Sequence, residues 1–255
     1  MPLPQFTPQE PKDPITQEQE RLLKAIKHIP RRIGVHAGKG GVGKTFVATQ
    51  LAPTLAQQGK TVGLIDADVD CPNVPEAYGI TGDLRFSESG KLIPLTHNGV
   101  RIVSTGFMQD PDNPIIIRGP IKHRLLTDFI EKTDWADIDT LIFDFPPGTS
   151  DVPLSAMQVA NLTGIILVTT PEKSSIRDAK RAAGMAARTE VPLLGVVENM
   201  AGEVFGEGAG ETLAQELGVP FIARIPLTKE LRETAEKGLL AVTEDIQEKL
   251  LQTIL

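Results

Sequence analysis

The chain has 255 residues, 40% of them hydrophobic, enough for one large α/β domain or two small ones with a substantial core. A formal charge of −7 weighs against broad binding to nucleic acid or anionic membrane, and 4% aromatic content leaves few platforms for stacking single-stranded nucleic acid. Cys71 is the single cysteine, which excludes an intrachain disulfide and any intrachain multi-cysteine metal site.

Residues 1–14 contain five prolines and are expected to form an extended or disordered tail. The tail is polar and has no apolar core of the kind a secretory signal carries, and no apolar run in the chain reaches the length of a membrane span. A cytoplasmic location is the expectation. Residues 16–29 place Leu22, Leu23, Ile26 and Ile29 at helical spacing, with Thr16 as the N-cap. The chain therefore divides into a tail plus N-terminal helix (1–30) and a single domain (31–255).

That domain opens on a β-branched strand, Ile33 to His36, which runs into the loop GKGGVGKT (Gly38 to Thr45) and then a helix over 44–58. Strand, loop and helix frame the phosphate-binding pattern G-x-x-x-x-G-K-[ST]. Gly38, Gly40, Gly41 and Gly43 let the backbone curl so that successive N–H groups face one concavity, which suits the anionic oxygens of a triphosphate. In such a loop Lys44 reaches the β- and γ-phosphates and the Thr45 hydroxyl ligates Mg²⁺.

The next strand, Thr61 to Asp66, continues into ADVDCPNVP. Carboxylates at the C-terminal end of a central strand lie over the ligand crevice of an open α/β sheet, and the spacing of Asp66 and Asp68 suits aiming both there. Residues 79–99 suggest a β-hairpin (84–86 with 91–95). A strand over 100–104, a loop with Pro111 and Pro114, and a helix over 120–132 follow. Asp139 to Asp144 is an apolar strand ending in an acid, the Walker B pattern, with Asp144 held near Mg²⁺ through water. PPGTSD (146–151) reads as a switch loop in which Gly148 approaches the γ-phosphate. Strands over 164–170, 192–198 and 219–224 alternate with helices over 174–188, 209–217 and 228–237. That alternation predicts a mainly parallel sheet with helices on both faces. A last amphipathic helix, 240–253, is acidic, which disfavours membrane attachment there. Helix 174–188 carries Arg177, Lys180, Arg181 and Arg188, read as a solvated face rather than a DNA-binding patch.

With Lys39 ahead of Lys44, KGGVGKT resembles the deviant Walker A motif of the MinD/ParA/NifH class of ATPases. That resemblance implies ATP as ligand, with ADP as product, and an ATP-sandwich homodimer in which Lys39 acts in trans. It places Gly38 through Phe46, including Val42, around the nucleotide. It assigns Asp66 to a Mg²⁺-bound water, Asp68 to the attacking water, Asn199 to the adenine edge and Pro226 to packing on the base. Catalysis would rest on Lys39, Lys44 and Asp68, and Mg²⁺ on Thr45, Asp66 and Asp144.

Longer stretches narrow the resemblance. DADVDCPNVP, RGPIKHRLL (118–126), TDWADIDTLIFDFPPGTSDV (133–152), RDAKRAAGM (177–185), GVVENMAG (195–202) and FGEGAGETLAQELGVPFIARIPL (205–227) are together similar to the Mrp/ApbC family of iron–sulfur carrier ATPases, over about residues 30–240. In that family a C-x-x-C segment lies between the equivalents of NMAG and FGEGAG, and two subunits pool four thiolates on one cluster. Here only Ala201, Gly202, Glu203 and Val204 separate Met200 from Phe205. Iron–sulfur clusters are commonly held by four cysteine thiolates, and a dimer of this chain offers two, both Cys71. Cys71 is expected to be a buried, inert residue; the alternative is an iron–sulfur or metal ligand shared across the dimer. Two outputs follow, with an apo iron–sulfur client or another protein as partner: a cluster carrier or assembly factor, or a cluster-free dimerisation switch.

Overall fold

The computed structural model describes residues 14–108 and 119–255. The proline-rich tail up to residue 13, the loop with Pro111 and Pro114, and Arg118 lie outside the described residues. The first helix, α1 (Pro14–Ile26), starts two residues earlier than the spacing predicts. Proline suits the first turn of a helix because its missing N–H has no intrahelical partner there. Thr16 is thus inside the first turn and is not the N-cap. Leu22 and Ile26, with Ile29 just beyond the helix, are fully buried in the core.

The strands are β1 (Arg31–His36), β2 (Val62–Asp66), β3 (Arg85–Phe86), β4 (Leu92–Ile93), β5 (Leu95–His97), β6 (Val100–Val103), β7 (Thr140–Asp144), β8 (Gly164–Thr169), β9 (Leu193–Ala201) and β10 (Phe221–Pro226). Eight form one sheet in the order β10-β9-β8-β1-β7-β2-β6-β5, and β3 pairs with β4 apart from it. Every pairing in the large sheet is parallel except β5 with β6. The central strands TLIFD and GIILVT are buried throughout, as continuous apolar runs covered on both faces must be.

The helices after α1 are α2 (Lys44–Gln57), α3 (Val74–Tyr78), α4 (Gly119–Lys132), α5 (Asp151–Ala160), α6 (Lys173–Arg188), α7 (Ala209–Leu217), α8 (Lys229–Ala235) and α9 (Glu244–Ile254). Leu51 and Leu55 of α2 and Leu250 of α9 pack on one side of the sheet; Leu22 of α1, Phe129 of α4 and Met157 of α5 pack on the other. No helix among the described residues is long and apolar enough to cross a membrane.

Several elements differ from the sequence reading. Asn98 (φ 48°) and Gly99 (φ 76°) turn β5 back on β6, and Asn-Gly is the dipeptide that suits such a two-residue turn. α3 and α5 are additional helices. β9 runs on to Ala201, so Asn199 lies inside a strand rather than after it. β10 is shifted towards the C-terminus, which makes Pro226 its last residue.

β1 is the topological switch point. The chain leaves it for β2 on one side, and β8 lies on the other, so a crevice opens at its C-terminal end. In register, Val35 and Asp66 both lie opposite Asp144. The pairing brings two strand-terminal carboxylates to the mouth of that crevice.

Candidate functional site

The crevice is built on the loop from β1 to α2. Gly41 (φ 79°) and Gly43 (φ 84°) adopt left-handed backbone. Gly43 is the N-cap of α2 and brings no side-chain cap, which leaves the first N–H groups of the helix to an anionic ligand. A Cβ on Gly43 would stand 2.0 Å from Asn199 Nδ2, and one on Gly38 2.0 Å from the carbonyl oxygen of Asp178. Both glycines therefore serve close approach as well as curvature. Around this loop lies a cleft of about 540 Å³, lined by Lys39 to Thr45 together with Asp68, Asp70, Cys71 and Pro147. A second cleft of about 480 Å³ is lined by Phe46, Gln50, Asn199, Pro226, Leu231 and Arg232. The two meet at Gly43, Thr45 and Asn73, so they form one crevice with a polar arm and an apolar arm.

The polar arm has a buried electrostatic centre. Lys44 Nζ lies 2.9 Å from Asp144 Oδ1, and the Thr45 hydroxyl donates to Asp144 Oδ2 at 2.5 Å. Asp66, fully buried beside Asp144, accepts from the Ser104 hydroxyl (2.9 Å) and from the backbone N–H of Val74 (3.1 Å) and Asp68 (3.3 Å). Burial, then the charge of Asp144, pushes the Asp66 carboxyl up to about 8. Two buried carboxyl groups thus share one lysine, and Asp66 meets the missing positive charge by keeping a proton that a bound cation would displace. Asp68 is half-buried on the cleft wall, its carboxyl also pushed up by burial, and it accepts from Cys71 N–H at 3.3 Å. Among the described residues no three His, Cys, Asp or Glu side chains converge to hold a metal. Mg²⁺ needs no such cage, since it keeps several waters and takes one or two carboxylates with substrate phosphates. The all-oxygen donor set of Thr45, Asp66 and Asp144 fits that ion.

Residues 28–255 match the family of ParA-type NUBPL iron-transfer P-loop NTPases. The chain belongs to this family. It is therefore a nucleotide-binding P-loop NTPase. It is 38% identical to an iron–sulfur cluster carrier protein of Synechocystis over 84% of this chain, a match that spans 65% of that relative's length. It is 36% identical to one of Methanocaldococcus jannaschii, over 91% of this chain and 84% of the relative. A solved nucleotide-binding protein from Archaeoglobus fulgidus, in complex with ADP and with cobalt found by PIXE, superposes with a TM-score of 0.78 at 32% identity, covering 90% of this chain and 96% of that one.

The P-loop NTPase crevice gathers most of the residues singled out in the sequence. Gly40, Gly41, Val42, Lys44, Thr45 and Asp68 line its polar arm, and Asn199 and Pro226 line its apolar arm beside Phe46. Asn199 Nδ2 donates to the Val42 carbonyl at 2.9 Å, which ties β9 to the loop. Lys39 Nζ lies 3.0 Å from Glu172 Oε2 and donates to the Ser174 hydroxyl at 3.2 Å. Beside Lys39, the Glu172 carboxyl is held below its usual range. Cys71 corrects one expectation: it is exposed, not buried, because it sits on the 67–73 turn rather than in a strand. The basic residues of α6 are partly paired, Arg181 with Asp178 at 3.2 Å and Lys180 with Glu216.

Three polar side chains at the site escaped the sequence reading. Ser104 gave no signal, lying just past the end of a short strand. Gln50 is a long polar residue on the buried side of α2, and it accepts from Ala241 and donates to the Leu239 carbonyl. His36 is a histidine in an apolar strand directly before the loop, a visible signal that the phosphate pattern overshadowed.

Proposed function

We propose that this chain is a Mg²⁺-dependent ATPase that works as an ATP-sandwich homodimer in iron–sulfur cluster delivery. The observation that carries the ATPase is the Lys44–Asp144–Thr45 centre at the mouth of a crevice whose second arm is sized and lined for a base. In this reading the loop N–H groups and Lys44 hold the β- and γ-phosphates. Asn199 and Pro226 face the adenine. Thr45 holds Mg²⁺ directly, and Asp66 and Asp144 hold it through water. Bound there, the ion supplies charge neutralisation on the phosphates. Asp68 orients the attacking water, and catalysis comes from positioning and electrostatics. Lys39 is partly exposed and held by a surface carboxylate, so it is free to exchange Glu172 for a nucleotide on a second copy.

The cluster role is supported by the relatives, which are named iron–sulfur cluster carrier proteins. One observation favours a second reading, an ATP-driven dimerisation switch without a cluster. The 202–206 segment closes as a tight turn with no cysteine, Gly202 and Gly206 exchanging two backbone hydrogen bonds at 3.0 and 2.7 Å. Anaerobic reconstitution with iron and sulfide separates the two. A stoichiometric cluster that is lost in Cys71→Ser supports the carrier, with Cys71 as ligand. No iron beyond that of the Cys71→Ser control leaves the switch. ATP hydrolysis in the same samples, abolished by EDTA and by Lys44→Ala, tests the ATPase independently of the cargo.

A further inference from the structure

His36 is fully buried at the end of β1, two residues before the phosphate loop, and the NTPase reading gives it no task. Among the described residues neither ring nitrogen has a hydrogen-bond partner. Burial, then the charge of Lys44, pushes the imidazole down to about 4, so it is neutral at working pH and carries one N–H. Leaving such a group unpaired in the interior is unfavourable compared with an apolar side chain of similar size. The arrangement makes sense if the partner arrives in another state of the protein.

The neighbours identify that partner. The loop after Asp144 is stitched to β1 by Phe145 N–H to the Val35 carbonyl (3.1 Å) and Gly148 N–H to the Ala37 carbonyl (2.9 Å), and His36 lies between the two stitches. The Phe145 ring lies over Gly34, where a Cβ would stand 2.6 Å from it, and meets the imidazole edge-on at 6.3 Å between centroids. The carbonyls of Gly148 and Pro146 already stand near enough to favour a protonated ring, yet neither meets the geometry of a hydrogen bond to it. Pro146 has no N–H and that of Gly148 is already given to Ala37, so both face His36 as acceptors. Downstream the same loop is exposed at Thr149 and Ser150, and Pro146, Pro147 and Ser150 border the phosphate cleft. The loop therefore has a root on His36 and a tip at the ligand.

We propose that His36 is a positioning residue, its N–H a donor held in reserve for the carbonyl of Pro146 or Gly148 when a nucleoside triphosphate in the cleft draws the 145–150 loop in. The inference rests on the NTPase reading. The new hydrogen bond would lock the loop in its loaded position and so act on turnover rather than on affinity.

The test compares His36→Leu, which removes the donor at similar volume, with His36→Asn and His36→Gln, which restore a donor near the position of one ring nitrogen or the other. Wild type should gain protection from hydrogen exchange at residues 148–150 on binding a non-hydrolysable ATP analogue. His36→Leu should melt at or above the wild-type temperature without nucleotide and bind the analogue within about twofold. It should fail to gain that protection and hydrolyse ATP about tenfold more slowly, the scale of one lost hydrogen bond. Asn or Gln should return the rate to within about threefold of wild type. Wild-type turnover or wild-type protection in His36→Leu overturns the inference, and so does failure of both polar variants to restore the rate. A wild-type protein that binds no ATP overturns the NTPase reading, and this inference falls with it.

Discussion

Removing the Lys44 side-chain charge while keeping its length, as Lys44→Met, tests whether the crevice is held together by its central ion pair or merely contains it. The pair is 2.9 Å long, with side chains 8% and 1% exposed. At an effective dielectric of 20 the gross attraction is about 6 kcal/mol, much of it offset by desolvation of both ions. Breaking a buried pair from one side typically costs about 3–5 kcal/mol, because the remaining charge is left uncompensated. Here that charge would be Asp144, with Asp66 beside it. For a chain of this size such a loss lowers the melting temperature by roughly 6–20 °C. The assay is thermal and urea unfolding in EDTA without nucleotide, on wild type, Lys44→Met, Asp144→Asn and the double variant. The side-chain amide introduced by Asp144→Asn would still accept from Thr45 but would need no cation. The double variant should therefore be at least about 2 kcal/mol more stable than the sum of the single losses predicts. Losses that add to within about 0.5 kcal/mol would mean that the two side chains do not interact energetically, and the electrostatic account of the site would be wrong.

Three further perturbations follow from the same geometry. Gly43→Ala places a Cβ 2.0 Å from Asn199 Nδ2 at a left-handed position, so ATP affinity by titration should fall about 100-fold or more. Equal affinity would refute the close approach. Glu198, fully buried, accepts from Gly208 N–H, Gly210 N–H and Arg224 Nε, so Glu198→Ala should cost about 3–5 kcal/mol in urea unfolding, and a loss under about 1 kcal/mol would deny the cluster any structural weight. Acid stability reports on His36: its folded value near 4 lies below the ordinary 6.5, so its contribution is complete above pH 6.5 and is lost as pH falls towards 4. Wild type should lose about 3 kcal/mol more than His36→Leu between pH 7 and pH 4, and parallel losses would place His36 in a solvated state.

The sheet and the polar arm of the crevice were legible because each rests on local signals. Runs such as TLIFD and GIILVT announce strands covered on both faces, and the glycine-lysine loop announces its own conformation. The parts that were not legible depend on long-range packing. α5 begins with Asp-Val-Pro-Leu, which by itself reads as an extension of the preceding loop; it becomes a helix by burying Ala156, Met157 and Val159 against α1 and α4. Cys71 follows a buried strand closely enough to suggest an interior position. The Asp68 carboxylate instead takes the Cys71 N–H and turns the chain outward. Asn98-Gly99 is a turn dipeptide, but the strand before it is only three residues long and carries no alternation to announce a hairpin. His36 was visible as a residue, but its isolation from any partner exists only in the folded chain.

The single cysteine and the 202–206 turn together constrain where a cluster can sit. Glu198 anchors the chain at both ends of this turn, from inside β9 and through the first N–H groups of α7. The two hydrogen bonds between Gly202 and Gly206 then leave a tip of three residues, with Val204 80% exposed. A tip that short and that firmly based cannot reach a distant ligand set, and it contains no thiolate. Any thiolate ligation must therefore use Cys71, which stands on the wall of the phosphate cleft two residues before Asn73, where the two arms of the crevice meet. A cluster bound there would share its wall with the nucleotide, so iron binding and ATP binding should be energetically coupled, and the coupling must be equal in both directions. ATP affinity measured with and without reconstituted iron would show a shift matched by the shift in iron affinity with and without ATP. Bound iron whose affinity ignores the nucleotide would have to lie outside the phosphate cleft, and if Cys71 is its ligand it would sit on the other face of the turn, beside Pro72, Ile80 and Phe107.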